Sequence, residues 1–269
     1  MALTDLQGEL LRLLAENRRK TAGSYVAGGL ALNFVLGTAR ASRDIDVFHD
    51  SAESLFMSWR ADRAVLEAHG FAVVPIRELP RFIEAEVSRD GFQTEIQWGV
   101  DSAYRFFPLI EDEVAGFILH PLDLATNKLA ALVGRTEPRD WIDVIMATQR
   151  LQPLACLLSA ACGKDPGFSP TSMLEYVARR HYNQTEIDAC IIPHGAYDAA
   201  ALCRYWHEEV ERARQVLPLF PREEAGKAVM NADGTLFAGS NEELSAALAA
   251  GTLLFHAGRV GGAWPRIIK

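Results

Sequence analysis

The sequence has few cysteines, and their spacing argues against the usual cysteine-based sites. Four cysteines occur among 269 residues, and no two of them form a Cys-x-x-Cys pair. Structural zinc sites and redox-active dithiols commonly contain such pairs. We therefore expect buried free thiols and no zinc site.

Long apolar runs are also missing, which argues against a membrane span or a signal peptide. Near the N-terminus the apolar residues are interrupted at helical spacing by charged ones, namely Asp5, Glu9, Arg12 and Glu16. The overall composition, 49% hydrophobic and 23% charged, is that of an ordinary globular chain with one large domain or two small ones. We expect a cytoplasmic protein without membrane contact.

Positive charge is in deficit, since the formal net charge is −8. General coating of nucleic acid depends on Lys and Arg contacts to phosphates, so this balance argues against such a role. A local basic patch is still compatible with a net charge of −8.

Paired glycines near the N-terminus have the pattern of a phosphate-binding turn. Tyr25–Ala27 is predicted to be a short strand, and Leu30–Leu36 a brief buried helix. Gly28 and Gly29 lie between them. Glycines before a helix let backbone N–H groups approach a phosphate closely, although the same pair also suits an ordinary turn.

Two aspartates follow on the next predicted strand. Asp44 and Asp46 alternate with Ile45 and Val47, so both carboxylates project from one face of that strand. The two carboxylates repel each other unless a cation lies between them. Mg²⁺ is the natural candidate, because it prefers carboxylates, phosphates and waters as ligands. The alternative is a solvated strand end.

A predicted hairpin supplies a further acidic residue. Its strands are Phe82–Val87 and Phe92–Trp98, and Asp90-Gly91 is a favourable turn sequence between them. One face of the second strand is polar and carries Gln93, Glu95 and Gln97.

Glu95 is the member of this face with catalytic potential. If the face lies beside Asp44 and Asp46, Glu95 becomes a third carboxylate that ligates the metal and accepts a proton from an attacking hydroxyl. Gln97 is the alternative residue facing the metal. An exposed glutamate on a hairpin is the other interpretation.

Two predicted helices begin at Pro121 and Pro138 and carry unusual charges. Lys128 interrupts an apolar stretch of the first helix, which indicates an anionic partner, either a protein carboxylate or a triphosphate. Asp140 and Asp143 lie near the start of the second helix, where acidic residues often only compensate the helix dipole.

The order and spacing of these features resemble the polymerase-β-like nucleotidyltransferase superfamily. Within it, the chain looks like the AbiEii/AbiGii abortive-infection toxin family over roughly residues 20 to 150. The motifs that carry the resemblance are Gly28-Gly29-Leu30-Ala31-Leu32, Ser42-Arg43-Asp44-Ile45-Asp46, Asp123-Leu124-x-x-x-Lys128 and Arg139-Asp140-x-x-Asp143.

The resemblance implies an α/β (α+β) fold with a mixed sheet flanked by helices. On this basis we predict a nucleotidyltransferase domain over residues 1–150 and a mainly helical domain over residues 151–269.

Roles for individual residues also follow from the resemblance. Asp44 and Asp46 match the metal-binding Asp-x-Asp, Asp140 matches the final active-site acid, and Glu95 stands where an aspartate is more usual. The expected nucleotide-binding residues are Gly28, Gly29, Ser42, Arg43 and Lys128. The usual Gly-Ser is Gly28-Gly29 here, which removes a hydroxyl contact to phosphate.

The resemblance finally implies an activity, namely transfer of NMP from an NTP to an acceptor hydroxyl with Mg²⁺ or Mn²⁺. The acceptor could be a tRNA end, as in characterised relatives, or another RNA, a protein or a small molecule. A cognate antitoxin is an expected partner. Two alternatives remain: a non-catalytic nucleotide-binding or interaction module, and a small-molecule nucleotidyltransferase of the aminoglycoside type, which an acidic acceptor pocket would favour.

Overall fold

The structure is a computed structural model. It describes residues 3–21, 23–38, 40, 42–190 and 196–265. Its contacts divide the chain into two compact units. Unit 1 comprises Met1–Ala103 and Leu109–His120, and unit 2 comprises Tyr104–Pro108 and Pro121–Lys269.

Unit 1 is a seven-stranded mixed sheet with helices. Its helices are α1 (Asp5–Thr21), α2 (Gly28–Leu36) and α3 (Ala52–Ala68). Its strands are β1 (Tyr25–Ala27), β2 (Asp44–His49), β3 (Ala72–Leu79), β4 (Phe82–Arg89), β5 (Phe92–Val100), β7 (Ile110–Asp112) and β8 (Gly116–Ile118). The strand order is β3-β4-β5-β2-β1-β8-β7.

Strand directions in this sheet combine local hairpins with long-range parallel pairing. β4 and β5 form an antiparallel hairpin whose turn places Asp90 at φ 55° and Gly91 at φ 81°. Positive φ at both central residues is the conformation that Asp-Gly supplies most readily. β2 is antiparallel to β1 but parallel to β5.

The apolar face of the central strands forms the core of unit 1. Ile45 and Val47 on β2 and Ile96 and Trp98 on β5 are at most 1% exposed. Trp98 donates its indole N–H to the buried carboxylate of Asp62 on α3, at 3.0 Å. Because side chains alternate along a strand, Asp44 and Asp46 on β2 and Glu95 and Gln97 on β5 lie on the opposite face.

Unit 2 is mainly helical. Its helices are α4 (Pro121–Gly134), α5 (Pro138–Arg150), α6 (Leu154–Ala161), α7 (Pro170–Val177), α8 (Gln184–Cys190), α9 (Ala199–Val216) and α10 (Asn241–Ala250). Its strands are β6 (Tyr104–Arg105), β9 (Lys227–Met230), β10 (Leu254–Ala257) and β11 (Arg259–Val260), which pair as β9 with β10 and β6 with β11. Short 3-10 turns occupy Leu217–Leu219 and Arg222–Glu224.

The chain passes between the units near residue 120, whereas the sequence placed a boundary near residue 150. α4 packs against α5, α6 and α7, so these helices share one core. A buried carboxylate also ties residues 104–108 to unit 2: Asp123 accepts the backbone N–H groups of Phe106 at 2.9 Å and Phe107 at 3.1 Å. Lys164 lies 2.8 Å from the same carboxylate.

The expected fold class is confirmed, with a mixed sheet and helices in unit 1 and a mainly helical C-terminal region. None of the four cysteines, all of which lie among the described residues, forms a disulfide; Cys156 and Cys162 are buried, and Cys190 and Cys203 are partly exposed. Among the described residues, no helix has the length and apolar character needed to cross a bilayer.

Candidate active site

The start of α2 lies against the carboxylate of Asp46. The antiparallel pairing of β1 and β2 aligns Ala27 with Asp46, and α2 follows Ala27 directly. Gly28, the first residue of α2, has φ +69°, and a Cβ atom at this position would overlap the Asp46 carboxylate. Both the backbone conformation and the close approach therefore require glycine.

The first turn of α2 has the properties of an anion-binding helix start. Its N-cap is Ala27, which contributes no side-chain hydrogen bond. The first N–H groups of a helix have no partner within the helix, and together with the helix dipole they favour a negative group. The α2 helix then ends at Gly37, which adopts the left-handed conformation at φ 62°.

The polar side chains of β2 and β5 share one face of the sheet, which we call the carboxylate face (Asp44, Asp46, Glu95 and Gln97). The parallel pairing aligns Asp44 with Glu95 and Asp46 with Gln97. Paired residues in neighbouring strands project from the same face. The structure thus places Glu95 beside Asp44, while the catalytic role of Glu95 stays a prediction.

Hydrogen bonds hold the segment that enters β2. The Ser42 hydroxyl donates to Asp44 Oδ1 at 2.8 Å, and the Gln7 side chain donates to the Ser42 carbonyl at 2.8 Å. Thr94 on β5 donates to the Arg43 carbonyl at 3.0 Å, whereas the Arg43 side chain is exposed. The Ser42 hydroxyl therefore orients Asp44, and contacts of Ser42 or Arg43 to a nucleotide remain predictions.

The donor set of the carboxylate face fits a cation that is shared with a phosphate substrate. Within the described ranges, no group of three or more His, Cys, Asp or Glu side chains is spaced to hold a metal ion. Mg²⁺ commonly binds proteins through one or two carboxylates and completes its shell with waters and substrate phosphates. Asp44 and Asp46 suit that mode, and an all-protein cage is not formed.

Two further predicted residues, Lys128 and Asp140, lie in unit 2 and form with Arg135 and Asp143 a group that we call the lysine cluster. Lys128 Nζ on α4 lies 2.9 Å from Asp140 Oδ1 and 3.2 Å from Asp143 Oδ2 on α5. Arg135, in the turn between these helices, places its Nε 2.7 Å from Asp140 Oδ2. Both carboxylates are fully buried.

The charge of Asp140 is set by these neighbours. Burial by itself raises the pKa of the Asp140 carboxyl, but the attraction of Lys128 and Arg135 outweighs burial, and the pKa is lowered. Asp140 is thus an anion at neutral pH. The anionic partner expected for Lys128 is therefore a pair of protein carboxylates, and Asp140 and Asp143 do more than compensate a helix dipole.

Asp143 and Arg135 are not among the site residues predicted from the sequence. Asp143 does carry a signal, because residues three apart on a helix share one face and Asp140 is a predicted site residue. Arg135 carries no such signal, since its partner depends on how the turn between α4 and α5 folds.

The family model for the nucleotidyl transferase AbiEii toxin of type IV toxin–antitoxin systems matches residues 12–164, more than half of the chain. The chain belongs to this family. The matched segment contains both the carboxylate face and the lysine cluster. The chain is accordingly a nucleotidyltransferase. A comparison with curated proteins found no sequence match.

Solved structures show the same fold. A Helicobacter pylori protein described as a nucleotidyltransferase has 17% identity and a TM-score of 0.51, and the alignment covers 80% of this chain and 98% of that one. The Helicobacter pylori protein JHP933 has 18% identity and a TM-score of 0.52 over 80% of this chain and 95% of its own. At this identity the likeness concerns the fold alone.

Replacing Gly28 by alanine tests the contact between α2 and Asp46. The new Cβ overlaps the Asp46 carboxylate and must displace it, so we expect nucleotidyl transfer by this member of the family to fall roughly 100-fold or more. The measurement is the rate of label transfer from an α-labelled NTP.

Gly91→Ala is the matched control for this variant. Gly91 also has positive φ, at +81°, but nothing lies within 4 Å of a Cβ placed there. This change carries a similar backbone penalty, about 1–2 kcal/mol, without touching the contact between α2 and Asp46. An equal loss of activity in both variants, or full activity in Gly28→Ala, would contradict the assigned contact.

Replacing Lys128 by methionine tests the buried ion pair. The change leaves Asp140 and Asp143 buried with one cation fewer, so the free energy of unfolding should fall by about 3 kcal/mol in urea denaturation. Lys20→Met is the control, because exposed Lys20 pairs with Glu16 on the same helix and the loss of such an exposed pair should cost about 0.5 kcal/mol or less. Similar values for the two variants would argue against the pair.

Proposed function

We propose that this enzyme transfers the NMP group of an NTP to an acceptor hydroxyl with the help of Mg²⁺ or Mn²⁺, as the toxin of a toxin–antitoxin pair. The observation that carries the proposal is the position of Asp46. Its carboxylate lies at the start of α2 and shares a strand face with Asp44. Cation ligands and an anion-binding helix start are thus combined, as a nucleotide–metal substrate requires.

The reaction follows from the groups on the carboxylate face. The acceptor oxygen attacks the α-phosphorus, the bond from that phosphorus to the α–β bridging oxygen breaks, and pyrophosphate leaves. The N–H groups at the start of α2 orient the phosphates. Asp44 and Asp46 would hold Mg²⁺ or Mn²⁺, which when bound supplies positive charge to the phosphate oxygens.

The reaction also requires a base that accepts the proton of the attacking hydroxyl and a positive charge that neutralises the triphosphate. The acceptor hydroxyl must lose its proton, and Glu95 is the proposed recipient because it lies beside Asp44 in the sheet register. The contact of Lys128 to the triphosphate that the family resemblance implies stays a prediction; within unit 2, Asp140 Oδ1 accepts a hydrogen bond from the Lys128 ammonium group at 2.9 Å. Ser42 keeps Asp44 oriented through its hydrogen bond.

Asp46→Asn tests this proposal, and Asp44→Asn provides a parallel test. Each change removes a negative charge while keeping the size of the side chain, so both variants should fold but lose transfer. The assay is incubation with radiolabelled NTPs, Mg²⁺ and total RNA, with circular dichroism as the folding check. Asp50→Asn, an exposed residue just beyond β2, is the control that keeps activity. Equal labelling by the wild type and Asp46→Asn would refute the assignment.

One observation favours a second candidate acceptor, a cationic small molecule of the aminoglycoside type. A groove of about 600 Å³ in unit 1 is lined by three acidic residues, Asp5, Glu9 and Asp90, and by the exposed ring of Phe92. One cation, Arg89, also lines it and pairs with Glu9 at 2.8 Å and with Asp90 at 3.6 Å, so the lining keeps an excess of negative charge. The groove also includes Gln93, which precedes Glu95 by two positions on the same face of β5. Acidic walls attract a cationic acceptor and repel a nucleic acid.

The same labelling assay distinguishes the candidates when an aminoglycoside replaces the RNA. Label on RNA supports an RNA acceptor such as a tRNA end, and label on the aminoglycoside supports the second candidate. Calorimetric NTP binding without pyrophosphate release in any mixture would instead indicate a non-catalytic nucleotide-binding module.

A further inference from the structure

A cleft in unit 2 is rich in cationic and imidazole side chains, and its lining includes none of the residues of the carboxylate face or the lysine cluster. Its volume is about 340 Å³, and it is formed by the segment after α7 and by α9. Arg180, His181, His207 and Arg214 line it together with Trp206. This composition contrasts with the net charge of −8 of the whole chain.

The two arginines of the cleft differ in how their charge is balanced. Arg214 forms ion pairs with Glu211, which also lines the cleft, and with Glu175 at 3.6 Å. Arg180 has no carboxylate partner among the residues that the structure describes. Its Nη2 donates to the Val133 carbonyl at 3.4 Å, and its Nε is buried without a hydrogen-bond partner.

We propose that this cleft binds a phosphate group, with the Arg180 guanidinium as its principal ligand. A guanidinium is a permanently charged hydrogen-bond donor that suits a phosphate, and its charge here is not cancelled by a carboxylate of the described chain. Because Nη2 donates to Val133 and Nε is buried, Nη1 is the nitrogen that would donate to the phosphate. His181, whose Nδ1 lies 3.2 Å from the Arg179 carbonyl, and His207 place their rings on the two sides of the cleft. The proposal concerns binding alone and does not depend on the proposed transfer reaction.

The packing of the cleft connects it with the lysine cluster. The Trp206 ring lies 6.3 Å, centroid to centroid, from the ring of Trp141, which directly follows Asp140 on α5. Arg180 contacts the carbonyl of Val133 near the end of α4, the helix that carries Lys128. A phosphate bound at Arg180 would therefore contact a residue that is hydrogen-bonded to α4, one of the two helices that hold the Lys128–Asp140 ion pair.

The phosphate has two chemical sources, a free phosphate or small phosphorylated molecule and the backbone of an RNA strand. Isothermal titration calorimetry of the full chain with inorganic phosphate is the first measurement, and a short single-stranded oligoribonucleotide is the second probe. We expect saturable binding of inorganic phosphate by the wild type. If Arg180 also governs oligoribonucleotide affinity, the natural source is the RNA backbone; if it governs only inorganic phosphate, the source is a small molecule.

Arg180→Gln should weaken phosphate binding roughly tenfold or more, because it removes a charged hydrogen-bonding partner. Arg179→Gln is the matched control, since it removes the same charge from the neighbouring exposed residue outside the cleft. Exposed His207 gives a second variant that leaves the contact to Val133 intact, and His207→Gln should weaken binding severalfold.

Thermal unfolding of each variant checks that the fold is retained. The proposal is overturned if the wild type shows no saturable phosphate binding, or if Arg179→Gln and Arg180→Gln bind phosphate equally. It is also overturned if His207→Gln leaves the affinity unchanged while Arg180→Gln fails to fold, because no cleft residue would then affect binding by itself.

Discussion

The antiparallel pairing of β1 with β2 is the constraint on which the unit 1 site depends. It aligns Ala27 with Asp46 and thereby brings a carboxylate to the start of α2. That approach is compatible only with glycine at position 28, because any Cβ there would overlap Asp46. A helix start suited to phosphate and a carboxylate suited to a cation thus come from one strand pair, and the neighbouring β5 adds Glu95.

The lysine cluster depends on a different interaction, the compensation of buried charges by ion pairs. Its carboxylates, Asp140 and Asp143, are fully buried, so their charge depends on Lys128 and Arg135 for compensation. Removing one partner of such a group leaves an uncompensated buried charge, which is far more costly than losing an exposed pair. The carboxylate face, in contrast, is only partly buried at Asp44 and Asp46 and can accept a cation and phosphate oxygens.

Local patterns in the sequence predicted much of this arrangement. Alternation identified Asp44 and Asp46 on one strand face, and Asp90-Gly91 identified the turn between β4 and β5. The parallel pairing that aligns Asp44 with Glu95 was only a condition of the hypothesis, because pairing between strands far apart in the chain depends on the whole sheet. Similarly, Lys128 indicated the need for an anion, but the identity of its partners depended on the packing of α4 against α5.

The most direct test of the central claim is to follow the α- and γ-phosphates of the same NTP in parallel reactions with Mg²⁺ and the acceptor. If the α2 start, Asp44 and Asp46 together support attack at the α-phosphorus, the label of the α-phosphate enters the product. The label of the γ-phosphate then leaves in pyrophosphate. Transfer of the γ-label to the product, or release of the γ-label as inorganic phosphate without α-label transfer, would contradict a nucleotidyl transfer centre at this site.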